Sequence, residues 1–362
     1  MRDRPVHPLV RFVHPRFVPT AGIATPWCSS LCAVAAVTPE TISRPDADEQ
    51  QPRAIARTLT TGDKVFRTLC ACAAAVSLFI IGGTAIFLAA RSVPALRETG
   101  VVSFFTESVW NPSVGKFGVL GLLIGTIIIA TVALVVAVPL ALGLALFINE
   151  YAPQRVKRVL TSSVDLLAAL PSLIFGMWGL FALQNTLVGV AQWLNDHLDA
   201  LPFFRLSAPN ASMLQSSFIT GCVVALMIVP IITSVSRDVM AQCPRVQCEA
   251  ALALGGSRWG MIRDVLLPFG KAGITGAVLL GFGRALGETI AVAILISFVV
   301  EANPYILEQG GGSIASLIAI KVPEAQDLEI SALIAAGLAL FALTLLVNLG
   351  ARAIVRRTQL AA

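Results

Sequence analysis

The chain has 362 residues, 56% of them hydrophobic and only 13% charged, with a formal net charge of +5. Charged residues approach a quarter of a soluble globular domain, so a water-soluble fold is excluded and apolar runs of about 20 residues, long enough to span a bilayer, are expected. The basic balance does not point to nucleic acid, because most Lys and Arg fall before Thr68, just after Asn149, between Arg237 and Lys271, or after Ala351. That distribution follows the positive-inside rule and predicts both termini and the 249–268 loop in the cytoplasm.

In chain order, residues 1–64 are rich in Pro, Arg and Ala and predict a disordered cytoplasmic tail. Residues 65–117 hold a first span over 68–90, stopped by Arg91 and Pro94, and an outer segment. There Phe104-Phe105 and Trp110-Asn111-Pro112 suggest short interfacial structure. A second span covers 118–148 and is kinked by Pro139. A third covers 160–183, with Pro171 inside it and Asp165 read as a helix-start acid. The loop 184–211 follows, where Asp196, His197 and Asp199 read as polar surface, not as a metal site. The fourth span is 213–235 and the fifth 272–300. The outer loop 301–329 is acidic, holds Gly310-Gly311-Gly312 as a flexible point, and carries an apolar run over 314–320 that predicts a short helix against the bundle. The last span is 330–349. The fold class expected is an all-α membrane protein with six transmembrane helices. The seven cysteines, Cys28, Cys32, Cys70, Cys72, Cys222, Cys243 and Cys248, match no paired metal-binding spacing and read as small hydrophobes.

The stretch 249–288 concentrates the chemistry. Residues 249–256 predict a short helix, with Glu249 complementing the dipole at its start and Gly255-Gly256 ending it. Ala250, Ala251 and Leu254 offer a small apolar face to a partner. Further on, Arg284 and Glu288 are four apart, which places them on one face of a helix with Cβ atoms about 5–6 Å apart. Ionisable groups at membrane depth are expensive and normally face a cavity. Gly281, Gly283 and Gly287 leave room for close packing or for a substrate. Two readings stand: a structural pair that neutralises itself, or a guanidinium whose paired donors match a tetrahedral oxyanion.

Glu249-Ala250-Ala251, Gly255 and Leu267-Pro268, with Val265 where Ile is usual, resemble the cytoplasmic coupling loop of ABC importer permeases. Gly283-Arg284-Ala285-Leu286-Gly287-Glu288-Thr289 is similar to the phosphate branch of that family, the PstC type. Leu170-Pro171-Ser172, Gly176-Met177-Trp178-Gly179 and Ser236-Arg237-Asp238-Val239 share the likeness. The resemblance implies a type I ABC importer permease (MetI-like) fold over 118–353, a cytoplasmic tail over 354–362, and a multi-pass place in the bacterial inner membrane. It implies that the 249–268 loop docks on a separate ATP-hydrolysing subunit. It also implies that Arg284, Glu288, Gly283, Gly287 and Thr289 line the substrate path.

The partners implied are a second permease (PstA type), a homodimer of ATP-binding subunits (PstB type) and an extracytoplasmic phosphate-binding protein (PstS type), all in membrane lipid. No cofactor is expected on this chain. It has no Gly-x-x-x-x-Gly-Lys-Ser/Thr loop, so ATP is used by the partner. Two alternatives stay open: an ABC permease for another oxyanion or small solute, and a secondary transporter driven by an ion gradient, against which the 249–268 loop argues.

Overall fold

The computed structural model describes residues 61–198, 200–208 and 210–360, without the side chains of 354–360. The tail expected over 1–64 lies outside the described residues up to residue 60, as do Cys28, Cys32 and Asp199. The chain divides into two units, Met1–Cys70 and Ala71–Ala362; of the first, only the opening turns of helix α1 are described.

Among the described residues, six helical segments are long and apolar enough to cross a membrane. Helix α1, Thr61–Thr99, runs through Pro94 and ends only at Gly100, whose φ of +85° breaks the helix. This overturns the expected stop at Arg91. A single proline removes one backbone bond, and here the helix continues across it. Helix α2 (Val101–Thr106) leads to a two-stranded hairpin, β1 (Trp110–Asn111) against β2 (Lys116–Phe117). Trp110 and Phe117 meet edge to face at 4.9 Å, and the Trp110 indole N–H donates to Glu329 Oε1 at 2.9 Å. Short structure is thus present where these aromatics suggested it.

Helix α3 (Leu120–Leu146) is followed by a π-helical turn at Phe147–Tyr151. Helix α4 (Gln154–Ala169) is separate from the third span, which begins at Ser172 and runs to Leu198 through α5 (Ser172–Trp178), a π-helical turn and α6 (Gln184–Leu198). The expected span over 160–183 is therefore displaced, and much of the expected loop 184–211 is helix. Pro171 is responsible: it forces Leu170 into extended backbone (ψ 139°), and the helix restarts at Ser172. Asp165 lies near the end of α4, not in its first turn.

Helix α7 (Ser217–Ala241) is the centre of the bundle, with 72% of its apolar window buried where the other spans have 28% or less. Its partner is α3, which presents the fully buried stripe Ala130, Ala133, Ala137 and Ala141 to Val224, Ile228 and Ile232. Small side chains at that spacing let two backbones approach in lipid. The Thr233 hydroxyl donates across the seam to Ala141 O at 3.3 Å.

Helices α8 (Arg245–Ala253) and α9 (Arg258–Met261) lead into α10 (Leu267–Leu286). Helix α10 is followed by α11 (Ile290–Leu295), α12 (Ile314–Lys321) and α13 (Asp327–Leu360). The short helix expected over 314–320 is α12, started by a capping box between Ser313 and Ser316. Gly310-Gly311-Gly312 is not a flexible point. All three are buried, Gly310 and Gly311 have φ of +102° and +150°, and the Val299 N–H donates to Gly311 O at 2.8 Å. A Cβ on Gly125 of α3 would come within 2.1 Å of Gly312 O, so the triplet serves close backbone approach. The backbone of 354–360, expected as a tail, continues α13.

Candidate functional site

The loop that follows α7 is built on a compact apolar cluster. Ala145, Met240, Cys243, Met261, Ile262 and Leu266 are its buried members, with Cys248, Ala251 and Leu267 packed against them. The Cys243 and Cys248 Sγ atoms are 3.7 Å apart, and burial pushes the Cys243 thiol up to about 11. Helix α8 starts at Arg245, so Glu249 sits in its middle and not at the positive end expected for it. Its close is as read. Gly255 has φ +87°, its N–H donates to Leu252 O at 3.0 Å, and the Gly256 N–H donates to Ala251 O at 3.2 Å. These paired bonds form a Schellman close, which glycine accepts without strain.

Ala251 turns inward, so the expected apolar trio is not one face. The outward stripe is Val246, Ala250 and Leu254, four residues apart, with Val246 77% and Leu254 91% exposed. This aliphatic stripe lies open, on a helix held by its opposite side. Leu267 and Pro268 open α10 directly after a π-helical turn at Ile262–Leu266.

Behind this loop, Arg237 fastens the end of α7. Its Nε and Nη2 donate to Asp238 Oδ1 at 3.1 and 3.0 Å, and Asp165 of α4 stands 4.0 Å from Nη2. Asn149 donates to Arg237 O at 2.9 Å. The Gly176 and Gly179 motif has a packing role: a Cβ on Gly179 would strike Val223 at 2.7 Å, and one on Gly176 would reach Ala291 at 3.0 Å.

The expected Arg284–Glu288 helix face is not formed. Helix α10 ends at Leu286, Gly287 caps it, and Glu288 lies in the break before α11. Glycine at 287 removes the side-chain packing that would carry the helix on, and the Thr289 hydroxyl takes up the Gly287 carbonyl at 3.0 Å. Arg284 is exposed and Glu288 is 8% exposed. Among the described residues they form no ion pair within 4.0 Å, so the self-neutralising pair is overturned.

Arg284 and Gly283 line a cavity of about 800 Å³ between α10 and α13, with Gly276, Leu280, Asn348 and Arg352 also in its wall. A Cβ on Gly281 would strike Ile232 at 2.7 Å, whereas one on Gly283 or Gly276 meets nothing within 4 Å. Gly281 thus serves packing, and Gly283 and Gly276 keep space open. Gly287, Glu288 and Thr289 follow at the break and are not part of that lining. Sequence reading missed Asn348, Arg352 and Gly276. The four-residue spacing of Ala272, Gly276, Leu280 and Arg284, and a lone amide at Asn348 in an apolar span, were the available signals.

Residues 137–360 match the family described as binding-protein-dependent transport system inner membrane component. The chain belongs to that family. Among its relatives, "Phosphate transport system permease protein PstC 2" of Mycobacterium tuberculosis is 42% identical over 297 residues, covering 81% of this chain and 91% of that protein. The "Phosphate transport system permease protein PstC" of Mycobacterium leprae is 44% identical, covering 75% and 86%. The protein of the same name from Xylella fastidiosa (strain 9a5c) is 36% identical, covering 82% and 91%. A chain of a solved bacterial ABC transporter involved in the import of the acidic polysaccharide alginate covers 82% of this chain and 96% of its own length. Its TM-score of 0.53 at 18% identity supports the shared fold. As a binding-protein-dependent transport component the chain is a multi-pass membrane transport subunit, built as the type I permease fold expected.

Proposed function

We propose that this chain is the permease subunit of an ATP-driven importer of inorganic phosphate, and that it forms half of the translocation path. The observation that carries this reading is identity of 36–44% with relatives named as phosphate transport permeases, aligned over most of both chains. The unpaired Arg284 guanidinium, held at membrane depth in an 800 Å³ cavity, supports it. A planar fork of donors attracts a tetrahedral oxyanion by paired hydrogen bonds. Glu288, buried just past the helix end, offsets that attraction so that the anion is released. Gly283 and Gly287 leave the backbone open, and Thr289 completes the break.

In the same reading, residues 118–353 are the permease domain and α8 is the coupling helix. Its stripe at Val246, Ala250 and Leu254 enters a cleft of an ATP-binding subunit (PstB type), with Glu249, Ala251, Gly255, Leu267 and Pro268 holding the helix in place. ATP is hydrolysed by that partner, and this chain binds no cofactor. The path is completed by a second permease of the PstA type, and phosphate arrives on a PstS-type binding protein. Both termini and the coupling loop face the cytoplasm of a bacterial inner membrane, following the distribution of Lys and Arg.

The test is uptake of labelled phosphate into proteoliposomes carrying the assembled complex, with and without ATP and with sulfate as competitor. ATP-dependent phosphate uptake that sulfate leaves unchanged, and that Arg284→Gln abolishes at equal protein level, is expected. ATP-independent uptake, or full activity of Arg284→Gln, overturns the respective part of the reading.

A further inference from the structure

The cavity that contains Arg284 holds a second guanidinium. Along α10 its wall is the stripe Ala272, Gly276, Leu280 and Arg284, one residue per turn. At 1.5 Å per residue this stripe is about 18 Å long. The facing wall is α13, which contributes Asn348 and Arg352, one turn apart and so on the same face. Consecutive spans run in opposite directions. Leu343 and Val347 of α13 pack in the same cluster as Val278 and Phe282 of α10, which sets Arg352 toward the Ala272 end of the cavity. Arg284 lies toward the other end.

Three observations bear on what Arg352 does there. Among the described residues, neither Arg284 nor Arg352 has a carboxylate within 4.0 Å. Asn348 makes no side-chain hydrogen bond among the described residues, although Thr344, one turn earlier, donates to its own helix at Phe341 O. Gly276 leaves open space beside them. Two exposed guanidiniums without a carboxylate partner and a half-buried free amide, along one partly open and mostly apolar cavity, concentrate positive field there.

We propose that Arg352, with Asn348, is a second oxyanion station in this cavity, occupied by phosphate after it leaves Arg284 on its way to the cytoplasm. The assignment rests on the phosphate-importer reading for direction and substrate. The station itself is defined by the cavity. An arginine that only marked the membrane boundary would need charge but no cavity, and Lys would replace it.

The test places a reporter thiol at Gly276→Cys, whose side chain enters open space, in the assembled complex. The parent complex with Gly276 intact is labelled in parallel to subtract the native cysteines. Modification by an anionic methanethiosulfonate is compared with its cationic analogue, with and without inorganic phosphate, in phosphatidylcholine vesicles and in vesicles containing phosphatidylglycerol. The anionic reagent is expected to be favoured, phosphate to slow it, and Arg352→Gln to lower the anionic preference by about tenfold and remove the protection. Arg352→Lys is expected to keep part of the preference and lose most of the protection.

Unchanged rates in Arg352→Gln overturn the station, as does protection that Arg352→Lys retains in full. Protection conferred by phosphatidylglycerol and not by phosphate assigns the site to a lipid headgroup and likewise overturns it. Uptake by the wild-type complex is read separately. If phosphate protects the reporter but ATP drives no phosphate uptake, the importer reading fails and the anion station stands.

Discussion

Gly281 and Gly283 lie two residues apart in α10, and the structure assigns them opposite tolerances. A Cβ at position 281 would sit 2.7 Å from both Cγ1 and Cδ1 of Ile232, while one at 283 meets nothing within 4 Å. Carbon atoms settle at about 3.5–4.0 Å, so the methyl of Gly281→Ala must drive α7 and α10 apart by about 0.8 Å or force Ile232 off its rotamer. Overpacking of this kind costs about 1–3 kcal/mol. Alanine returns about 0.5–1 kcal/mol of helix propensity at either site, and this part cancels between the two variants. Gly281→Ala should therefore be less stable than Gly283→Ala by about 1–3 kcal/mol. The measurement is reversible unfolding of the purified chain in mixed detergent, followed by loss of helicity. Adding Ile232→Ala makes the cause specific: it should couple favourably to Gly281→Ala by at least about 0.5 kcal/mol and add independently to Gly283→Ala. Equal stability of the two alanine variants, or additivity in both cycles, refutes the packing assignment.

The close of α8 is testable by hydrogen exchange. Gly255→Ala places a Cβ at φ +87° and should cost about 1–2 kcal/mol locally, raising exchange of the Gly255 and Gly256 amides about 5- to 30-fold. Unchanged protection there means the turn re-forms in another way. Cys243 gives a pH signature. Its thiol stays protonated in the native state up to about pH 11, so the native state binds the extra proton once the unfolded thiol ionises. The stability advantage of the wild type over Cys243→Ala should be constant below the ordinary thiol range and shrink as pH rises toward 11; a constant difference to pH 10.5 contradicts it. At the hairpin, Trp110→Phe keeps the edge-to-face contact with Phe117 but loses the 2.9 Å bond to Glu329. It should cost about 1.5 kcal/mol, and Glu329→Gln, which keeps an acceptor, less than half of that. Equal costs for the two would show that the bond contributes nothing.

What could be read in the sequence was set by how local the physics is. Six apolar runs, the short helix over 314–320 and the Gly255 close are decided within a few residues, and all three were legible. The third span was misplaced because apolar content is continuous across Leu170-Pro171, while the break depends on one backbone torsion at Leu170. The Arg284–Glu288 face failed in the same way: spacing of four assumes that the helix persists, and it stops at Gly287. The buried glycine triplet looked mobile because its restraint comes from Gly125, nearly two hundred positions away in the chain. Arg352 read only as a boundary charge, since nothing local tells that its neighbour across the gap is the face of α10 that ends in Arg284.

The interruption after Leu286 carries one more implication, for solvent. Hydrocarbon offers no partner for a peptide group, so a bare turn can exist at membrane depth only beside protein or water. At 287–289 the Gly287 and Glu288 amides find only long bonds, at 3.3 and 3.4 Å, and Gly287 itself is exposed. The break is thus a natural depth mark for hydration. Wherever the side of the bundle that carries Gly287 lies within the hydrocarbon, it needs water or a neighbouring subunit against it, not lipid tails.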